Sequence, residues 1–197
     1  MRTETPVTLF LKDYTPPAWW IESVDLHVAI RDGNAEVRSR LACTRNPAVA
    51  GGALVLNGEA LELVSITLDG AALDPARYTC ADDRLTIAAP LPGTCVLETV
   101  VHIHPDQNTQ LSGLYRSKDG YFTQCEAEGF RRITFFPDRP DVMAKFSCTV
   151  EAERARFPHL LSNGNPVAAG ACADDATRHW VRWEDPFPKP AYLFALV

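Results

Sequence analysis

The sequence predicts an all-β fold, an antiparallel β-sandwich or saddle of many short strands with at most one or two short helical turns. The dominant hydrophobic period is two rather than 3.6, which is typical of strands with one face on a core. Fifteen prolines and eleven glycines interrupt the alternating runs at short intervals. Such spacing favours packed antiparallel sheets. We interpret residues 1–197 as a single β domain, with residues 107–112 as a polar loop inside it.

The alternating runs predict the strands in order. Residues 24–30 and 35–44 flank residues 31–34, and the Asp32-Gly33 dipeptide between such runs is a strong hairpin signal. One short helical turn is expected over residues 128–133. The remaining predicted strands are 54–56, 61–68, 84–87, 94–104, a run around Tyr115, 121–125, 144–152, 179–183 and 192–197.

Charge and hydropathy exclude two classes of partner. The formal net charge is -6, whereas nucleic-acid-binding domains usually carry a basic face. No apolar run approaches the roughly 20 residues that a membrane-spanning helix needs. The polar start, residues 1–6, leads into no long apolar stretch, so we expect neither a secretory signal nor a membrane span.

The six cysteines point to a reducing compartment. They contain no Cys-x-x-Cys pair, which disfavours a zinc knuckle or a thioredoxin-type motif. Cys43, Cys95, Cys125 and Cys148 lie in apolar or alternating segments, as buried free thiols do. Although an even count permits disulfides, we expect reduced thiols in a cytoplasmic protein.

Residues 123–132 carry the most informative pattern. In an extended segment, side chains two positions apart share a face, so Gln124, Glu126 and Glu128 would point one way. Cys125 and Ala127 would then point towards the core. One amide and two carboxylates on one face suit a small cation such as a protonated amine.

The same stretch resembles a known family. Residues 123–146 are similar to the signature of the N-terminal β domain of M1-family zinc aminopeptidases, and residues 160–165 and 183–197 resemble the end of that domain. The wider family usually has Pro at the position of Ala127 and an acid at the position of Arg139. Both differences fit the bacterial, aminopeptidase N branch of the family.

The resemblance implies roles for two residues. The glutamate matching Glu126 contacts the substrate α-amino group, and the glutamine matching Gln124 lines the first specificity pocket. Physical chemistry agrees, because a glutamate is ionised and a peptide α-amino group is largely protonated at neutral pH. The partners implied are peptide substrates and a catalytic domain of the same polypeptide. That domain would begin after residue 197, beyond the apolar run 192–197, and would hold the zinc.

No catalytic or metal-ligating residue is predicted in these 197 residues. A zinc peptidase of this type needs His-Glu-x-x-His, which the five histidines do not form. His102 and His104 lie two apart on a predicted strand and are interpreted as decorating one side of it. Cys125 has no nearby histidine and is interpreted as a packing residue.

Alternatives remain for Glu126, for the aromatic residues and for the function of the domain. Glu126 would lose its role if it paired with Arg131 or Arg132, a pairing that we assign instead to Glu128. The aromatic residues Phe135, Phe136, Trp180 and Trp183 are expected in core or interdomain packing. Trp19 and Trp20 form either a packed first strand or an exposed platform. A platform would suit a stand-alone carbohydrate-binding module, and a further alternative is a scaffold domain of an inactive paralogue.

Overall fold

The structure is a computed structural model that describes Thr8 and residues 10–197. The polar start discussed above, residues 1–6, lies outside the described residues. The strands are β1 (Trp19–Arg31), β2 (Asn34–Arg45), β3 (Leu54–Asn57), β4 (Glu62–Leu68), β5 (Ala71–Ala72), β6 (Tyr78–Ala81), β7 (Arg84–Ile87), β8 (Thr94–Ile103), β9 (Gly113–Ser117), β10 (Gly120–Gln124), β11 (Met143–Glu153), β12 (Asn165–Ala171) and β13 (Arg178–Pro190).

The strands form three sheets, which confirms the all-β fold class. An eight-stranded sheet has the order β12-β13-β11-β1-β2-β8-β4-β5, a three-stranded sheet has the order β3-β7-β6, and β9 pairs with β10. The predicted hairpin is present, since Arg31 pairs with Asn34 across Asp32 and Gly33. Both turn residues have positive φ, 45° and 84°, as a type I′ turn requires.

Helical structure is limited to short turns. Within the described residues there are five 3-10 turns of three residues each, more than the one or two that were expected. None of the helices in the described part of the chain is long and apolar enough to span a bilayer. The 3-10 turns are Leu11–Asp13, Pro75–Arg77, Pro105–Gln107, Phe130–Arg132 and Ala191–Leu193.

Two features depart from the predicted antiparallel series. β1 and β11 are parallel, and the strands of the two smaller sheets lie between them in sequence. Residues 192–197 do not form a strand of a sheet. Ala191–Leu193 is a 3-10 turn, and Leu196 then makes an isolated bridge to Ser162.

One core joins the three sheets. Along β2, Val37 and Leu41 are buried while Arg38 and Arg40 are exposed, which is the alternation that the sequence shows. The inner face of the eight-stranded sheet shares a single cluster with Leu56 of the three-stranded sheet and with the β9–β10 hairpin. The thiols predicted to be buried, those of Cys43, Cys95, Cys125 and Cys148, are buried, and all six cysteines are free.

An aromatic cluster lies at the segment between β10 and β11, residues 125–142, which is called the corner below. Phe130 is fully buried, and its ring centroid lies 5.2 Å from those of Phe136 and Phe194 and 5.7 Å from that of Phe146. Phe135 is also buried. The predicted core position of Phe135 and Phe136 is therefore confirmed.

The two tryptophans of β13 lie outside this cluster. Trp180 and Trp183 are only half-buried, and the indole N–H of Trp183 donates to the backbone oxygen of Leu160 at 3.0 Å. Trp180 covers Gly170 of the edge strand β12, where a Cβ atom would lie 3.2 Å from the indole ring.

A buried carboxylate ties β11 to its neighbours. Arg178 donates to Glu151 at 2.9 Å, and Arg31 and His27 approach the same carboxylate at 3.2 and 3.1 Å. Burial pushes the pKa of Glu151 upward, but the hydrogen bond from Arg178 and the charges of Arg178, His27 and Arg31 outweigh burial and leave that pKa below its usual value.

We expect Glu151→Gln to lower the free energy of unfolding by about 3 kcal/mol near neutral pH, since Arg178 would stay buried without its counter-charge. The lowered pKa makes this contribution complete above the unfolded-state pKa of about 4.3 and lost as the pH falls through the folded-state pKa. Urea denaturation at about pH 7 and about pH 3.5 measures the difference. A difference of equal size at both pH values would contradict the assignment.

Candidate functional site

The β9–β10 hairpin delivers Gln124 to the edge of the site. Gln124 pairs with Gly113 and is the last residue of β10. The chain leaves the strand at Cys125, which is buried, and the N–H of Gly129 donates to the backbone oxygen of Cys125 at 2.8 Å. Residues 126–129 therefore form a turn.

This turn corrects the predicted extended face. Ala127 is exposed rather than buried, and the Glu126–Ala127 peptide bond is cis. Gln124, Glu126 and Glu128 are all exposed, but they do not lie on one strand. The orientation of Cys125 towards the core was predicted correctly.

Two glycines allow the turn to pack against β9. A Cβ atom on Gly129 would lie 2.2 Å from the backbone oxygen of Gln124, and one on Gly113 would lie 2.6 Å from Cβ of Arg132. Gly113 also has a φ of 74°, which side-chain-bearing residues rarely adopt. The backbones at residues 113, 124 and 129 thus meet at a distance that only glycine permits.

Glu126 projects from this turn into solvent. Among the described residues, no hydrogen bond or ion pair engages its carboxylate. The side-chain N–H of Gln124 donates to the backbone oxygen of Glu126 at 3.2 Å. Gln124 and Glu126 are thus brought together through the main chain of the turn, and the carboxylate stays accessible to a ligand.

The neighbouring arginines are occupied by other acids. Arg131 donates from its backbone N–H and from Nε to the buried carboxylate of Asp138, at 3.1 and 3.2 Å, and lies 3.5 Å from Glu128. Arg132 donates to Glu59 at 2.9 Å. The alternative in which Glu126 pairs with Arg131 or Arg132 is not found, and Glu128 is paired as expected.

The carboxylate of Asp138 is only 2% exposed. Burial raises the pKa of Asp138, while the hydrogen bonds and the charge of Arg131 offset part of that rise. Removal of the Arg131 side chain would therefore leave the buried carboxylate without its counter-charge.

A surface depression of about 320 Å³ lies beside Glu126. Gln124 is not among the described residues that line it. Gln110 and Ser112 come from the predicted polar loop, whereas Glu59 comes from the loop after β3 and has no local sequence signal. The lining residues are Glu59, Gln110, Ser112, Glu126, Ala127, Glu128 and Arg132.

The other candidate residues have structural partners. Nε2 of His104 lies 2.8 Å from Glu62 and its Nδ1 lies 2.6 Å from Asn34, while His102 lies 3.6 Å from Glu36. The described residues contain no group of three or more His, Cys, Asp or Glu arranged to hold a metal ion. They therefore do not fit a zinc centre.

Cys125 and Trp19 are packing residues, whereas Trp20 is exposed. Burial raises the pKa of Cys125 to about 12, so its thiol is not a nucleophile at neutral pH. Trp19 is 3% exposed and Trp20 is 40% exposed, because successive residues of β1 point to opposite faces. The two indoles therefore do not form a common platform.

Solved structures share this fold. A crystal structure of Legionella pneumophila aminopeptidase A in complex with aspartic acid superposes with a TM-score of 0.89 at 33% identity, covering 94% of this chain and 22% of that chain. An M1 zinc metallopeptidase from Deinococcus radiodurans gives a TM-score of 0.77 at 14% identity, covering 91% and 41%. The fold is that of a β domain found within M1 metallopeptidases.

The family follows from sequence. Residues 22–193 match the Peptidase M1 N-terminal domain, and this chain belongs to that family. It is 50% identical over 201 residues to Aminopeptidase N of Caulobacter vibrioides and 40% identical over 195 residues to Aminopeptidase N of Escherichia coli, covering 100% and 99% of this chain. The chain spans 22% of the length of each of these relatives.

We expect Gly129→Ala to destabilise the domain by about 1–3 kcal/mol, because the added methyl group meets backbone atoms that cannot move aside. Gly93→Ala is the matched control, since a Cβ atom there meets nothing within 4 Å. Chemical denaturation of both variants measures the effect. Equal stability of the two variants would show that the close approach at residue 129 does not hold the turn.

Proposed function

We propose that this chain is the amine-anchoring domain of a zinc aminopeptidase. Glu126 is the anchor for the α-amino group of the substrate, and Gln124 contributes to the pocket for its first residue. The observation that carries the proposal is the accessible carboxylate of Glu126, which stands on a tightly packed turn beside a depression while both nearby arginines pair with other acids.

The chemistry of the anchor favours a free amino terminus. A carboxylate and a protonated amine form a charge-assisted hydrogen bond, which is among the stronger polar contacts. An internal peptide bond would place a neutral amide at the same position and leave the carboxylate desolvated and unpaired. Glu126 would therefore select the end of a peptide over its interior.

The relatives support the class of reaction. Those with the highest identities given above are named Aminopeptidase N, and a Deinococcus radiodurans M1 zinc metallopeptidase mutant has been solved bound to a Tyr-Ser-Ala substrate. Because the described residues do not fit a zinc site, we place the zinc, the remaining acidic groups and the general base in a further domain of the same polypeptide. The domain alone would then be inactive.

The cysteines bear on the compartment in which the protein acts. The six free thiols, four of them buried, suit a reducing compartment, and we propose that the enzyme acts in the cytoplasm.

A stand-alone carbohydrate module is not favoured, because Trp19 is in the core and the family match accounts for residues 22–193.

We expect Glu126→Gln in the full-length polypeptide to lower kcat/KM for alanine p-nitroanilide by about 10- to 100-fold, as expected for the loss of a hydrogen bond to a charged group. Inhibition by alaninamide should weaken in parallel, whereas inhibition by propionamide, which lacks the amine, should not change. Zinc content should stay the same.

Glu98→Gln is the control. It removes one carboxylate charge by the same substitution, from an ion pair with Arg40 on the outer face of the eight-stranded sheet. An unchanged kcat/KM in Glu126→Gln would remove the anchoring role. Absence of activity in the zinc-loaded wild-type protein would instead favour the inactive-paralogue alternative.

A further inference from the structure

Arg132 shares one depression with two carboxylates. Arg132, Glu59 and Glu126 all line it, and NH1 of Arg132 donates to Oε2 of Glu59 at 2.9 Å. Nε of Arg132 is buried and has no hydrogen-bond partner among the described residues. The guanidinium of Arg132 is thus held at NH1 by Glu59, and it lines the same depression as Glu126.

Glu59 is fixed by its own surroundings. Its backbone N–H donates to the backbone oxygen of Arg131 at 2.9 Å, and the N–H of Gly58 donates to the backbone oxygen of Asp83 at 2.9 Å. A Cβ atom on Gly58 would lie 2.3 Å from the ring of Phe135, so the loop before Glu59 lies directly on the core. Its side chain is 18% exposed, whereas Glu126 is exposed.

The other arginine is not able to take the place of Arg132. Arg131 is bound to Asp138 through its backbone N–H, through Nε and, at 3.0 Å, through NH2 to the backbone oxygen. These bonds hold its guanidinium at Asp138, although its NH1 also lies 3.9 Å from Oε1 of Glu59. Among the described residues that line the depression, Arg132 is therefore the one cation that shares it with Glu126.

We propose that Glu59 is a positioning residue that holds Arg132 away from Glu126 and so keeps the amine anchor unpaired. The inference rests on the proposed function. Glu59 outcompetes Glu126 for Arg132 because an ion pair that is less exposed to water is screened less. Without the Glu59 carboxylate, the long side chain of Arg132 is released to pair with Glu126 and to compete with the substrate amine.

The test uses the full-length enzyme and alanine p-nitroanilide. Glu59→Gln should raise KM by about two- to fivefold. A change of this size is expected when a partly exposed ion pair competes with binding of the substrate amine. Adding Arg132→Gln to Glu59→Gln should recover at least half of that loss, because the competing cation is gone.

Glu128→Gln is the matched control for charge. It removes one carboxylate from the same depression but leaves Arg132 held by Glu59. Its effect on KM should be smaller than that of Glu59→Gln. Thermal melting of each variant establishes that it is folded, and Glu59→Asp, which keeps the charge, should lie between wild type and Glu59→Gln.

The KM values of these variants decide whether Glu59 positions Arg132. Equal increases of KM in Glu59→Gln and Glu128→Gln, or no recovery in the double variant, would overturn the role of Glu59 while leaving the anchor intact. If Glu126→Gln itself leaves kcat/KM unchanged, the proposed function fails and this inference fails with it. A larger increase for Glu59→Gln that the second substitution reverses supports it.

Discussion

The pairing of Arg131 with the buried carboxylate of Asp138 is the interaction on which the candidate site depends. It joins the 3-10 turn Phe130–Arg132 to the segment that leads into β11. The backbone N–H of Asp138 also donates to Asn57 at 3.3 Å, so the three-stranded sheet joins the same corner. A buried carboxylate is tolerated only with such partners. These contacts fix the 3-10 turn Phe130–Arg132, which directly follows the turn that carries Glu126.

The charges around this corner are arranged in order of burial. The most buried acid, Asp138, holds Arg131, and the less buried Glu59 holds Arg132. Glu126 is exposed, and among the described residues no hydrogen bond or ion pair engages its carboxylate. This order follows from electrostatics, since pairs that are shielded from water interact more strongly than pairs in solvent. Under the proposed function, this order keeps the amine anchor open while the arginines that build the fold stay in place.

Much of the fold and part of the site were predictable from local patterns. Alternation along β2 and the Asp32-Gly33 dipeptide predicted the first hairpin, because the period of a strand and the φ values of a two-residue turn depend on neighbouring residues only. The turn at residues 126–129 was missed. Gly129 was the signal that could have revealed it, since glycine inside an alternating run often ends the strand. Likewise, residues 192–197 looked like a strand by hydropathy but contribute one isolated bridge and the buried side chains of Phe194 and Leu196.

The sequence by itself determined the all-β class, the burial of four thiols and the presence of an acid-rich segment after a strand, because each of these depends on local composition and period. Only the tertiary structure decided which acid each arginine binds. Glu59 and Arg132 are 73 positions apart, and no local pattern reports a contact over that distance. The tertiary fold also decided that Glu126 stays accessible, since an ion pair forms where packing brings two charges together and not where the sequence lists them side by side.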